Sequence, residues 1–174
     1  MASKQQAVDM TVLPLIGYVF SFCVTEVFKT DYNFVNEVDQ PKWVVHVHWE
    51  WYKPVFCTVT ALAGFGSYLI WRSSKLDNLP RNVTDTALTV YYIQMILFWL
   101  YYPALEYFRS LPISTVMISS TAVTAIVTTA KFWGIRRIAG IIMIPYLIML
   151  SYHVTWNVYM FTKEDVSKPS TLKK

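Results

Sequence analysis

"KPVFCTVTALAGFGSYLIWR" (residues 53–72) sets eighteen uncharged residues, Pro54 to Trp71, between a lysine and an arginine. Such a stretch is either the buried core helix of a soluble domain or a helix that crosses a bilayer, and the rest of the chain decides between them. Of its 174 residues, 55% are apolar and 15% charged, against roughly 25% charged in ordinary soluble domains. Aromatics reach 17%, with seven Trp and twelve Tyr. A soluble domain of one-domain length has too little interior to hide that much apolar surface. The composition predicts an integral membrane protein, with the lipid bilayer as its first partner.

A crossing helix needs about 20 largely apolar residues, within a working range of about 17 to 25. Reading between charges gives five candidates. Residues 10–28 form the first, with Glu26 near its end, and 54–71 the second. The others are 86–105, 110–130 and 138–162. Backbone polar groups in hydrocarbon must be satisfied internally, so each run is read as a helix. The alternation expected of a membrane barrel strand is absent. The predicted fold is therefore all-α, a five-transmembrane-helix bundle, flanked by an N-terminal segment (1–9) and a polar, disordered tail (163–174). Short connections make neighbouring spans antiparallel. Prolines are read as helix punctuation: Pro54 opens the second span, Pro103 closes the third, and Pro112 and Pro145 lie in the first turns of the fourth and fifth.

The net charge of +4 is modest, and most Lys and Arg flank the apolar runs. With no basic block interleaved with aromatics, nucleic acid is not an expected partner. Lys and Arg divide seven to eight between the two sides, so the positive-inside rule does not set an orientation. Cys23 and Cys57 both fall inside apolar runs and are read as buried thiols outside any disulfide. "MASKQQAVDM" has neither the charge-then-apolar layout of a cleaved signal nor the arginines of a transit peptide, so insertion is expected to be directed by the spans.

Two spans carry candidate ligand residues. In "TALTVYYIQMILFWLYYPAL", residues Tyr91, Gln94, Phe98, Tyr101 and Leu105 recur at helical spacing on one face, with Tyr92, Trp99 and Tyr102 on others. A carboxamide in a membrane helix belongs against protein or a polar ligand rather than lipid. In "IAGIIMIPYLIMLSYHVTWNVYMFT", residues Tyr146, Met149, His153, Trp156 and Asn157 share a second face. His153 is an ionisable group deep in the longest apolar run, either an interhelical hydrogen-bonding residue or a ligand contact. The small cluster Ala63, Gly64, Gly66 and Ser67, like the Ser/Thr-rich fourth span, is read as close helix contact. In the first loop His46, His48 and Glu50 would share a side if extended. They are not read as a metal site, because such local clusters arise readily in loops, and no metal is expected. "NVT" at Asn82 is a formal glycosylation acceptor in a short inter-span loop. No nucleophile triad, acid–base pair or phosphate-cradling glycine loop is present.

"QPKW" (40–43) followed by "KPVFCTVTALAGFGSYLIWR" resembles the entry to the second span in the translocator protein family, also called tryptophan-rich sensory proteins or peripheral-type benzodiazepine receptors. Gly64, Phe65, Gly66, Ser67, Tyr68, Leu69 and Trp71 match its Gly-aromatic-Gly-Ser-Tyr-Leu-x-Trp ending. Tyr91, Gln94, Leu97, Trp99 and Pro103 align in the third span, and Pro145, Tyr146, Leu147 and Asn157 in the fifth. Pro14 and Gly17 match in the first.

The resemblance implies a five-helix protein, often a homodimer, whose bundle binds or transports a hydrophobic small molecule. Porphyrin or haem is one such ligand and a sterol such as cholesterol another, while no cofactor is required. It also implies the mitochondrial outer membrane as the location. The ligand-lining residues it implies are Trp43, Tyr91, Gln94, Phe98, Trp99, Tyr101, Met149, His153, Trp156 and Asn157. Val154, Tyr159 and Lys163 fit the loose form of a C-terminal sterol motif. The chain departs from the family where Val44 and Val45 replace a Pro-Pro pair, where Phe98 replaces a cavity Asn, and where Tyr101 and Met149 replace tryptophans. His153 and Trp156 stand where smaller residues are usual. Binding without catalysis is expected. The alternatives are photo-oxidative porphyrin degradation, with Trp99 or Trp156 as the reactive ring, and a scaffold whose altered lining no longer takes a ligand.

Overall fold

The computed structural model describes Val19, Cys23 and residues 41–43, 49–76 and 80–167. Among these residues helix is the regular structure, with no strand. The expected first span, 10–28, lies outside the described residues apart from Val19 and Cys23, both helical. The elements are α1 (Trp49–Leu76), α2 (Arg81–Tyr102), a π-helical turn (Pro103–Tyr107), α3 (Leu111–Ile135), α4 (Arg137–Ile142) and α5 (Ile144–Ser167). Four segments of the described chain are long and apolar enough to cross a membrane: Pro54–Lys75, Arg81–Leu105, Leu111–Ile135 and Arg137–Lys163. At about 1.5 Å per residue, even the shortest, 22 residues, exceeds the roughly 30 Å of hydrocarbon.

The outward faces are apolar as well as the inward ones. Val116, Val123, Ile126 and Ile148 are 60–67% exposed, an arrangement that water would penalise and lipid does not. The Ser/Thr-rich α3 tolerates the same solvent because five of its hydroxyls are satisfied within the helix, although the buried Thr115 hydroxyl is not. Ser114, Thr121, Thr124, Thr128 and Thr129 each donate to a carbonyl three or four residues back, at 2.8–3.0 Å.

α2 packs along α3, α3 along α5, and α1 against α2 and α4. Small residues set the approach of α1 and α3 to α4. A methyl group on Gly66 would lie 3.4 Å from the Ala139 carbonyl oxygen and 3.7 Å from the Phe132 ring. Gly140 is tighter still, since a Cβ there would meet Trp133 Cα and Cβ at 2.9 Å. At the same corner Arg136 donates to the Ser73 hydroxyl at 3.4 Å, tying the end of α1 to the junction of α3 and α4. α2 and α5, by contrast, are bridged by long aromatic side chains rather than by close backbone approach.

Several expectations need correcting. Pro54 does not open its helix: α1 begins at Trp49, so Pro54 sits inside it, where the missing N–H leaves the Glu50 carbonyl without its usual i+4 donor. Pro103 ends only the α-helical ladder. The chain continues as a π turn, with the Phe108 N–H donating to Pro103 O at 3.0 Å and the Ser110 N–H to Ala104 O at 3.2 Å. Arg109 closes this turn in the left-handed region at φ 47°. Residues 138–162 are not one helix: α4 and α5 are separated at Met143, because Pro145 cannot donate to the carbonyl of Ile141. The helix of α5 runs to Ser167, into the segment expected to be a disordered tail. Tyr102, expected off the inward face, is buried against Phe56 at 5.7 Å. Cys57 is buried as expected, but Cys23 is exposed, and neither forms a disulfide.

Candidate functional site

The face of α2 that carries Tyr91, Gln94, Phe98 and Tyr101, continued by Leu105 in the π turn, is buried throughout. It meets the face of α5 that carries Tyr146, His153, Trp156 and Asn157, also buried. Rings fill the space between. Phe98 lies edge-on to Tyr146 at 5.7 Å and to His153 at 6.5 Å, and Tyr101 lies edge-on to His153 at 6.0 Å. Phe56 of α1 stacks on Phe98 from the other side at 5.3 Å. Lower on α2, Tyr91 packs against Phe132 of α3 at 6.0 Å. Edge-to-face geometry of this kind places positive ring edges on negative ring faces. It gives the block a defined shape rather than a fluid filling.

Two polar side chains sit in this block, in opposite states. Asn157 is fully buried and satisfied: its Nδ2 donates to the Tyr101 hydroxyl at 2.7 Å and to the His153 carbonyl at 2.9 Å. Its Oδ1 accepts from the Ser114 hydroxyl at 3.4 Å. One amide thus joins α2, α3 and α5. Gln94 is also fully buried, but neither its Oε1 nor its Nε2 makes a hydrogen bond of ordinary geometry. The hydroxyl of Tyr146 lies beside it. A buried carboxamide without a well-formed hydrogen bond costs about 1–3 kcal/mol relative to a fully partnered one.

An aromatic path leads out of the block. His153 packs against Trp156 at 6.2 Å and Tyr152 at 5.9 Å, and Tyr152 lies against Trp156 at 6.3 Å. Trp43, 47% exposed, stands edge-on to Tyr152 at 5.9 Å. The Pro41–Trp43 turn therefore rests on α5 above the buried cluster.

The expected residues do not all converge. Trp99 and Met149 are half-buried and pack against the margin of the core. Val154 does the same, while Tyr159 is half-buried and Lys163 exposed, with the ammonium 5.8 Å over the Tyr159 ring. The last two residues of the expected sterol motif thus engage each other by cation–π attraction. His46 and His48 lie outside the described residues, and Glu50 is in the first turn of α1 rather than in extended chain. Among the described residues no three His, Cys, Asp or Glu side chains gather as a metal set. Sequence reasoning missed Phe56, Ser114 and Tyr152. Ser114 partners a residue 43 positions away, and nothing local marks it among the many hydroxyls of its helix.

The TspO/MBR family model matches residues 10–162. The chain belongs to the TspO/MBR family. Among TspO/MBR relatives it is 25% identical to the translocator protein of Sus scrofa over 151 residues, 87% of this chain and 85% of that one. The match extends across the segment 10–28 and through α1 to α5.

Proposed function

We propose that this TspO/MBR member is a five-span membrane protein that binds, and passes on, a flat hydrophobic ligand of the porphyrin, haem or sterol class. In this reading residues 10–28 form the fifth crossing, the protein resides in the mitochondrial outer membrane, and two copies pair. The observation that carries the ligand reading is Gln94, a fully buried carboxamide with no standard hydrogen bond, set among aromatic rings. Pockets for flat ligands are mostly apolar with a few polar anchors, and Gln94 supplies an anchor, with Tyr91 and His153 beside the same rings.

The ligand enters beneath Trp43, where the ring path through Tyr152 and Trp156 reaches the surface. Phe98 and His153, now in mutual contact, turn aside so that a ring system slides between α2 and α5. Aromatic stacking supplies the affinity, and the Gln94 amide fixes the orientation through a carbonyl, carboxylate or hydroxyl of the ligand. The site chemistry calls for a flat hydrophobic molecule with a polar edge, and the resemblance to the translocator protein family narrows it to a porphyrin, haem or sterol.

The test is a titration of the purified full chain with protoporphyrin and, separately, cholesterol, followed by tryptophan quenching. Saturable quenching by one of them, weakened about ten-fold in Gln94→Ala and in His153→Ala, supports the reading and names the ligand class. Absence of saturable quenching by either refutes it. A new absorbing product that accumulates with turnover under light would replace binding with porphyrin degradation.

A further inference from the structure

A second concave site lies away from the aromatic block, where the start of α2 runs beside the end of α3. It is a groove of about 490 Å³ lined by Asn82, Val83, Thr86, Lys131, Gly134 and Ile135. These residues are the end turns of two membrane-spanning segments, so the groove lies at the level where hydrocarbon gives way to water. Gly134 opens it: a Cβ there would meet nothing within 4 Å. Asn82 uses its Oδ1 to accept the Val83 N–H at 3.0 Å, so its NH₂ remains to act as a donor. Lys131 is half-buried, and no carboxylate among the described residues pairs with it.

The charge around the groove is mostly positive. Arg72, Lys75, Arg81, Lys131, Arg136 and Arg137 all lie at this end of the bundle, on the last turns of α1 and α3 and the first turns of α2 and α4. The acidic residue described beside them is Asp85. Arg72, Arg81 and Arg137, like Lys131, make no ion pair with a described carboxylate, whereas Arg136 is held by Ser73. Below the groove the flanks of α2 and α3 are apolar and open, with Ile93, Ile96, Val123 and Val127 42–62% exposed. Anionic head at the rim, acyl chains down the flank: one class of molecule fits both halves.

We infer that the groove formed by Asn82, Thr86, Lys131 and Gly134 is a binding site for a single anionic phospholipid. The phosphate takes the Lys131 ammonium and the Asn82 amide, and Arg81 supplies additional positive field. The acyl chains lie along Val83 and Ile135 and continue over the apolar flank. A free anion would use only the polar half, which is why the apolar continuation favours the lipid. The site is separate from the aromatic block and does not depend on what that block binds.

The experiment uses the full chain reconstituted in phosphatidylcholine vesicles that contain trace spin-labelled phosphatidylglycerol or spin-labelled phosphatidylcholine. The immobilised fraction reports relative association. The intact protein should prefer phosphatidylglycerol, and Lys131→Gln should lower that preference about five-fold, the effect expected of one lysine at an anionic surface. Gly134→Leu keeps every charge, adds helix propensity and fills the groove. It should lower the preference as well, which a diffuse electrostatic field would not do. Lys163→Gln, at the opposite end of α5, should leave it unchanged. Equal association of the two lipids overturns the proposal. So does an equal fall in Lys131→Gln and Lys163→Gln, a Gly134→Leu variant that retains full preference, or displacement of phosphatidylglycerol by excess inorganic phosphate.

Discussion

The Asn157 amide is the point at which the bundle can be tested most sharply. Its bond to the Tyr101 hydroxyl is 2.7 Å, between two fully buried groups on helices whose backbones do not closely approach. Interhelical hydrogen bonds in membrane proteins average about 0.6 kcal/mol and reach about 1.7. The short distance and complete burial place this one near the upper end, at about 1–1.5 kcal/mol. Asn157→Leu keeps the branched skeleton but also abandons the Ser114 hydroxyl, held at 3.4 Å, so it should cost about 2 kcal/mol in total. Tyr101→Phe keeps the ring and should cost about 1 kcal/mol. In the double variant the shared term is counted once, giving a coupling of about 1 kcal/mol. Reversible denaturation in mixed detergent micelles, followed by helical circular dichroism, measures all four corners of the cycle. A coupling below about 0.3 kcal/mol, the scatter expected of independent sites, would show that the two side chains do not hold α2 to α5 and that the aromatic contacts alone do so.

Other substitutions follow from the same packing. Gly140→Ala should destabilise by about 1–3 kcal/mol, because the added methyl meets Trp133 main-chain and ring carbons at 2.9 Å. Gly134→Ala, with open space around it, should instead stabilise by up to about 1 kcal/mol through helix propensity. Thermal melts of the two variants check both signs. Gln94→Leu should raise the stability of the ligand-free protein by about 1–3 kcal/mol, since it removes a buried amide with no hydrogen bond of standard geometry, while abolishing the anchoring of porphyrin or sterol. A loss of stability in that variant would mean that the amide is satisfied in the native bundle.

Much of the architecture was legible without coordinates. Charge spacing marked the apolar segments that became α1, α2, α3 and the α4–α5 pair, because no other solvent accommodates so many consecutive apolar residues. The period of Tyr91, Gln94, Phe98 and Tyr101 identified the buried face of α2, and the period of Tyr146, His153 and Asn157 that of α5. Gly66 was read as a helix contact from its size alone, and Phe132 and Ala139 lie against it. Proline was less dependable. Pro54 sits within α1 and Pro103 leads into a π turn, since loss of one N–H can be absorbed locally and need not end a helix.

What composition and periodicity determine is membership of the membrane class, the positions of the apolar segments and the side of each helix that turns inward, because all three depend on neighbours close in sequence. Only tertiary structure decides which inward residues meet. Asn157 and Gln94 looked alike as amides in apolar helices, yet one is tied to Tyr101 and Ser114 and the other has no partner of standard geometry. That difference depends on the register of α2 against α5 and α3, which is set by ring and glycine packing across the bundle. Hydrogen-bond range is about 3 Å, so a shift of one residue along either helix would part Asn157 from Tyr101.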